Sequence, residues 1–367
     1  MKIVFAVYHD LNTEARSQEM LEIMKLIGST TLVSYSDYGR SEGCVVVNNR
    51  NNKKNLFAFF LNTKKAIDTI RPSVVLLHDN YTSIFIKYIK KRYPDTIVIY
   101  DSSELRFKEE GTRSSIKGRI AGFFIRAEEK YINLCDYVIA ANKERALLMK
   151  DRYSLSAMPF IFDNMHMIDG NYNVYECSRK FQGVFDKNAF YALYAGGISE
   201  KRMTYTLAKQ IGLLGEKYQL IIVGAKENNG DRKLSQILSE YGISNVQYLG
   251  FVTREELKYL MDRVDVTIST FAMDCLNNVN CASGKVYEGL FQGKPLLAGI
   301  NPPLKNLCDT YKIGVSTVEF GSGLVEIERN YDYYCQNVKE FISDIDYDNR
   351  IREFANVLLD AIKQKLT

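Results

Sequence analysis

The feature that most constrains this chain is an alternation in which short β-forming, apolar runs recur between longer stretches with helical spacing. One series comprises Lys2–Tyr8, Thr31–Ser36, Ser73–His78, Thr96–Asp101 and Asp136–Ala141. Such alternation specifies βαβ units and a parallel sheet. The runs VVLLH and TIVIY are apolar throughout, as strands covered on both faces must be. A second series comprises Phe190–Ala195, Gln219–Val223, Val246–Leu249, Val264–Ser269 and Pro295–Ala298. Between them lies Asn164–Asn188, polar and aperiodic, which reads as an interdomain linker. The expected fold is α/β, with two Rossmann-like, doubly wound parallel-sheet domains at residues 1–168 and 169–345. Strand carboxyl ends carry the binding loops in such domains, and here they are expected to face a cleft. Residues 346–367 place Ile351, Phe354, Val357, Leu358 and Ile362 at helical spacing, which predicts a closing helix with a core-facing stripe.

Composition excludes several function classes. A net charge of +4, from 48 basic and 44 acidic residues, is too small an imbalance to indicate nucleic acid as a partner. Seven scattered cysteines with no C-x-x-C spacing suggest neither a disulfide framework nor a zinc site, and fit a cytoplasmic protein. The first apolar run is short and reads as a strand, not a signal peptide. No apolar stretch approaches the roughly 18 residues that span a bilayer, so any membrane contact is expected to be peripheral. No P-loop, G-x-G-x-x-G, H-E-x-x-H or G-x-S-x-G occurs. The acidic SDIDYD at Ser343–Asp348 reads as a cap or turn before the last helix, not a metal loop.

The stretch NNVNCASGKVYEGLFQGKP, Asn277–Pro295, carries the clearest chemistry. Ser283 is placed to cap a helix whose first turn holds Gly284 and Lys285, and Gly293 supplies a left-handed stop. A glycine-lined helix start offers unpaired N–H groups and a positive dipole end to an anion such as phosphate. Glu288 lies one turn beyond Lys285 on the same face. A carboxylate there can accept hydrogen bonds from both hydroxyls of a ribose. The alternative for Lys285 and Glu288 is a solvated pair on a surface helix.

The segments LYAGGISEKRMTYTL, LIIVGAKEN, VQYLGFVTREELKYLMDRVDVTIST and SGKVYEGLFQGKPLLAG follow one another within residues 190–315. In that order they resemble the GT4-like group of retaining glycosyltransferases of the GT-B fold, of the bacterial surface-polysaccharide type. Residues 1–165 share the resemblance only in outline. The resemblance implies that Gly196 and Gly197 form the glycine turn beneath a donor diphosphate and that Arg202 holds it. It also implies that Gly250 and Val252 offer backbone groups to the nucleotide base, and that Glu288 binds the ribose. With Arg202 and Lys285 against the leaving diphosphate, no metal cofactor is expected. Three positions depart from the pattern. Gly197 replaces the usual basic residue, and Asn280 replaces the first glutamate of a pair that ends at Glu288. Ser103, in VIYDSSELRF, replaces a histidine often found near the reacting sugar.

Of three histidines, His9 and His78 sit at carboxyl ends of predicted strands, where a binding site forms, with Asn12, Thr13 and Asp79 as polar companions. Both are candidate catalytic residues. The run Arg106–Arg126 mixes Lys108, Arg113, Lys117, Arg119 and Arg126 with Ile116, Ile120, Phe123 and Phe124. As a helix it is either an interfacial segment for anionic lipid, joined by Lys87, Lys90, Lys91 and Arg92, or a core helix with a wet basic side. The expected partners are therefore a nucleotide-sugar donor, a glycan or polyprenyl-linked acceptor and an anionic membrane face. Two other functions stay open: a non-catalytic partner of another transferase, suggested by Asn280 and Ser103, and a nucleotide-sugar epimerase, against which stands the absence of histidine from residues 196–300.

Overall fold

The computed structural model describes residues 1–11, 14–35, 44–47, 55–107, 116–168, 170–185, 188–226, 229–281 and 283–366. Asn12, Thr13, Lys108, Arg113 and the side chains of Ile116 and Lys117 lie outside the described residues. The chain forms two compact units, Met1–Asn164 with Asp346–Thr367, and Met165–Ile345.

The first unit holds seven strands among the described residues. They are β1 (Lys2–Val7), β2 (Ser29–Ser34), β3 (Cys44–Val47), β4 (Val74–His78), β5 (Ile97–Ser102), β6 (Tyr137–Ala140) and β7 (Phe160–Ile161). Their order is β3-β2-β1-β4-β5-β6-β7, and every pairing is parallel. The strand order reverses between β1 and β4, which opens a crevice at their carboxyl ends. Register places Val7 beside His78 and His78 beside Asp101, so the polar residues that end these strands are neighbours. Ile3, Phe5, Val74, Leu76 and Ile99 are buried beneath them.

The second unit repeats the plan with β8 (Phe190–Ala195), β9 (Tyr218–Val223), β10 (Val246–Tyr248), β11 (Val266–Ser269), β12 (Leu296–Ala298) and β13 (Gly314–Ser316). The order is β10-β9-β8-β11-β12-β13, again all parallel, with its reversal between β8 and β11. Strands β3, β7 and β13 have no counterpart in the sequence reading.

Two expectations need correction. The segment expected to be a linker is mostly part of the second unit: Asn173 caps a helix over Val174–Lys180, and Ile168, Cys177, Phe181 and Val184 are buried against Tyr191, Leu193 and Leu260. The expected closing helix is present as Arg350–Leu366 and packs on the first unit, but its stripe is narrower than expected. Ala355, Leu358 and Ile362 share a core with Met20, Leu21 and Met24 of the helix Ala15–Ile27, while Tyr137 donates a hydrogen bond to the Ala361 carbonyl at 2.6 Å. Val357 is not part of the stripe; it is 53% exposed on the opposite face. Among the described residues, no helix is long and apolar enough to cross a membrane.

Candidate functional site

In the second unit, three chain turns meet beyond the strand ends. Gly196 follows β8 and Gly224 follows β9, and they touch so closely that a Cβ on Gly224 would lie 2.1 Å from the Gly196 carbonyl oxygen. Gly224 also has φ +135°, so only glycine fits there without strain. Its N–H donates to the carbonyl of Gly250 at 2.9 Å, which ties in the loop after β10. Gly250 has φ +77°, and the next residues diverge: Val252 turns into the core while Phe251 is 78% exposed.

Against this glycine-lined edge stands the helix Gly284–Phe291. Gly289 lets it press onto β11, since a Cβ there would fall 2.2 Å from Thr267 Oγ1. That approach buries Glu288, which precedes Gly289, to 3% exposure. Its carboxylate is held by Lys285 Nζ at 2.8 Å and by Arg254 Nη1 at 3.7 Å. The carboxylate of the pair is therefore buried, while Lys285 stays 43% exposed. Burying an unpaired carboxylate is costly, and two cations offset that cost. Ser283 occupies the cap position, but its side chain makes no cap hydrogen bond, which corrects the capping expectation; Gly293, at φ +73°, is the expected left-handed stop. Asn280 donates its amide to the Leu276 carbonyl at 3.0 Å and closes the helical turn Leu276–Val279.

A cavity of about 170 Å³ lies at the strand-order reversal, lined by Gly196, Gly197, Arg202, Phe271, Ser283 and Lys285, among others. Arg202 sits in a 3-10 turn, Glu200–Arg202, with its guanidinium carbon 4.4 Å from the centre of the Phe271 ring. The turn is fixed to β11's exit by Thr270 Oγ1, which donates to the Arg202 carbonyl at 2.6 Å. Gly197 is fixed by its carbonyl, which accepts from Tyr194 Oη at 3.2 Å and Thr204 Oγ1 at 3.1 Å. Gly196, Gly197, Arg202, Ser283 and Lys285 thus share one cavity. Glu288 joins it through Lys285, and Gly250 through Gly224. Arg254, which completes the Glu288 cage, was not singled out from the sequence; a charged residue at a helix start carries no distinguishing signal.

The strand-order reversal of the first unit carries a buried polar network. His78 is fully buried, with Nδ1 2.8 Å from Asp101 Oδ2 and Nε2 3.3 Å from Ser17 Oγ. Asp101 in turn accepts from Arg16, 2.6 Å from Nη2, and Arg16 anchors the Phe162 carbonyl and Asn164 at 2.7 Å each. Burial alone would lower the His78 pKa; the carboxylates of Asp79, Asp101 and Glu14 outweigh it and push it up to about 9. Asp79 stands at φ +58°, a strained conformation for a residue with a Cβ, and accepts from Ser103 N at 2.9 Å and Ser103 Oγ at 2.7 Å. His9 Nε2 is 2.9 Å from the same carboxylate, and its side chain is 33% exposed. Burial opposes the Asp79 charge, yet the imidazoles of His78 and His9 and the Ser103 hydroxyl hold its pKa well below the usual range.

The network separates the two candidate histidines. His9 presents a ring edge to solvent, next to the Ser103 position where a histidine was expected. The His78 ring is enclosed, with Asp79, Asp101, Glu14 and Ser17 as the polar groups within its reach. Asp101 and Arg16 went unnoticed in the sequence; a carboxylate ending the otherwise apolar run TIVIYD was the available signal.

Neither a protein-family model nor a curated protein sequence matches the chain. Solved structures do. Sucrose-phosphate synthase from Thermosynechococcus elongatus superposes with a TM-score of 0.73 at 11% identity, over 99% of this chain and 100% of that one. HepE of Anabaena, in complex with UDP and glucose, gives 0.70 at 16% identity over 98% and 99%. WaaG, a glycosyltransferase involved in lipopolysaccharide biosynthesis, gives 0.67 at 12% identity over 97% and 99%. With two parallel-sheet units built on the same strand plan along its whole length, the chain has the GT-B fold of these glycosyltransferases.

Proposed function

We propose that this chain is a glycosyltransferase of the GT4-like, retaining type that moves a sugar from a nucleotide-sugar donor to a glycan or polyprenyl-linked acceptor, without a metal, in surface-polysaccharide synthesis. The observation that carries the reading is Glu288, 3% exposed and caged by Lys285 and Arg254 beside a glycine-lined cavity that also holds Arg202. A carboxylate paired with two cations, one of which, Lys285, lines the cavity, suits the two hydroxyls of a ribose. Arg202, Lys285 and the helix start at Gly284 supply positive charge where a leaving diphosphate accumulates negative charge. Gly250 and Val252 offer main-chain groups to the base. The sugar C1–O bond to the diphosphate breaks, the acceptor oxygen bonds to C1 on the same face, and the acceptor proton passes to the departing phosphate oxygen. In the first unit, His9 offers its exposed edge to a sugar hydroxyl, steadied by Asp79.

UDP-sugars are the first donors to test, because HepE was solved with UDP and with UDP-glucose. A polyprenyl-linked acceptor would bring the protein to the cytoplasmic face of the membrane as a peripheral partner. The test is donor turnover: incubation with a panel of nucleotide-sugars and a lipid-linked acceptor extract should release nucleoside diphosphate from one donor, undiminished by excess EDTA. Release from none would overturn the reading, and release lost with EDTA and restored by manganese or magnesium would overturn its metal-free part.

A further inference from the structure

A further cavity of the first unit is lined by none of the candidate catalytic or donor-binding residues. It is a groove of about 740 Å³ between the helices Ile84–Arg92 and Ile116–Tyr131, lined by Ile84, Tyr88, Phe123, Ala127 and Tyr131 and by five cations, Lys87, Lys91, Arg92, Arg126 and Lys130. Among the described residues that line it there is no carboxylate. Among the described residues, none of the five forms a salt bridge. Lys87 and Lys130 lie over the Tyr131 ring, at 5.4 and 5.7 Å, and Arg92 lies over Tyr93 at 5.9 Å. Lys90, by contrast, is turned away to Asp136 and the Thr96 carbonyl, which removes it from the basic group expected from the sequence.

The second helix decides what such a groove fits. A core helix with a wet basic side would bury its large apolar residues. Here Phe124 is buried, but Ile120 is 42% and Phe123 57% exposed, at the helical spacing of the exposed Arg119, Arg126 and Lys130. Apolar and cationic side chains thus share one solvent-facing stripe beside a concave floor of aromatic and aliphatic groups. A soluble polyanion complements the cations but not Phe123 and Ile120. The surface of an anionic bilayer complements both, with lipid phosphates at the cations and acyl chains around the rings.

We propose that this groove is where the first unit docks on a membrane, seating the phosphate of one anionic phospholipid among Lys87, Lys91, Arg126 and Lys130, with its chain against Phe123. The inference deepens the peripheral-membrane part of the proposed function and assigns it to defined residues. Removing one such cation weakens attraction to an anionic surface by about fivefold, equivalent to about 1 kcal/mol. Sedimentation of the full chain with vesicles of phosphatidylglycerol and phosphatidylcholine should therefore fall about a hundredfold in affinity when Lys91, Arg126 and Lys130 are all changed to Gln. Phe123→Ser should weaken it separately while leaving the salt dependence intact. A control triple at exposed lysines of the same unit, Lys143, Lys150 and Lys363 to Gln, should bind nearly as wild type.

Wild-type protein that ignores anionic vesicles, or binds pure phosphatidylcholine equally, would overturn the proposal. So would equal losses in the two triples, or a melting-temperature shift with glycerol phosphate in a protein that binds no vesicle, which would assign the groove to a soluble phosphate. Nucleotide binding read in parallel keeps the two proposals apart. Lost vesicle binding with intact nucleotide binding removes the groove alone, and the converse removes the donor site alone.

Discussion

Glu128 lies on the helix beneath the groove, 1% exposed, with Oε1 3.4 Å from Tyr153 Oη and with Oε2 lacking a hydrogen-bond partner. Burial pushes its pKa up to about 8 from an ordinary 4.5, against the lowering effect of the nearby Tyr100 and Tyr153 hydroxyls and with repulsion from Asp79. Because the folded value lies above the unfolded one, the folded state holds a proton that the unfolded state releases. Stability is then highest below pH 4.5 as far as this group is concerned, falls as pH rises, and levels off above about pH 8. The loss is about 1 kcal/mol at pH 5 and about 3 kcal/mol at pH 7. Glu128→Gln keeps the shape and cannot ionise, so it should recover that amount. At about 2–4 °C per kcal/mol for a domain of this size, the variant should melt about 6 °C or more above wild type at pH 7, and only a few degrees above it at pH 5. Circular-dichroism melts of both proteins across that range measure it. A variant no more stable than wild type at pH 7, or a gain independent of pH, would refute the reasoning.

Other perturbations follow from the same contacts. His78→Phe leaves the buried Asp101 and Asp79 short of a partner and should cost about 3–5 kcal/mol, read as a drop in the urea midpoint; a neutral result would contradict the network. Since the His78 pKa is raised to about 9, its contribution is full below pH 6.5 and disappears as pH climbs through 9, so the wild-type advantage over His78→Phe should shrink between those values. Gly224→Ala meets the Gly196 carbonyl and a positive φ together, and should lower expression or melting temperature by more than an exposed Gly→Ala change such as Gly215→Ala. His9→Ala should fold normally yet lower donor turnover; unchanged turnover would remove His9 from the reaction.

Strands with long apolar runs, such as VVLLH and FYALYA, were readable in the sequence within a residue or two, because burial on both faces demands continuous hydrophobicity. Two of the three strands that escaped are very short: β7 has two residues, and β13 is the three-residue GVS, too brief for any period to show; β3 is the four-residue CVVV. Helical spacing marked the inner face of Arg350–Leu366 but could not say which sheet it would cover. Likewise, Phe123 and Phe124 are identical in sequence terms, and only packing separates the buried ring from the exposed one. The residues that meet at the second unit's cavity were legible where glycine and charge fall at fixed offsets, as in SGKVYEG. Arg254 was not, because its link to Glu288 spans the fold and leaves no local pattern.

The central claim is that the Glu288 cage binds the ribose of a nucleotide. Calorimetric titration of nucleoside diphosphates into wild type and Glu288→Ala tests it most directly. One nucleotide should bind wild type, and loss of the charge-assisted bonds, about 1.5–3 kcal/mol, should weaken it by about tenfold to 150-fold in a variant that keeps its melting temperature. Equal affinity in a folded variant, or no binding of any nucleotide to wild type at millimolar concentration, would contradict the account.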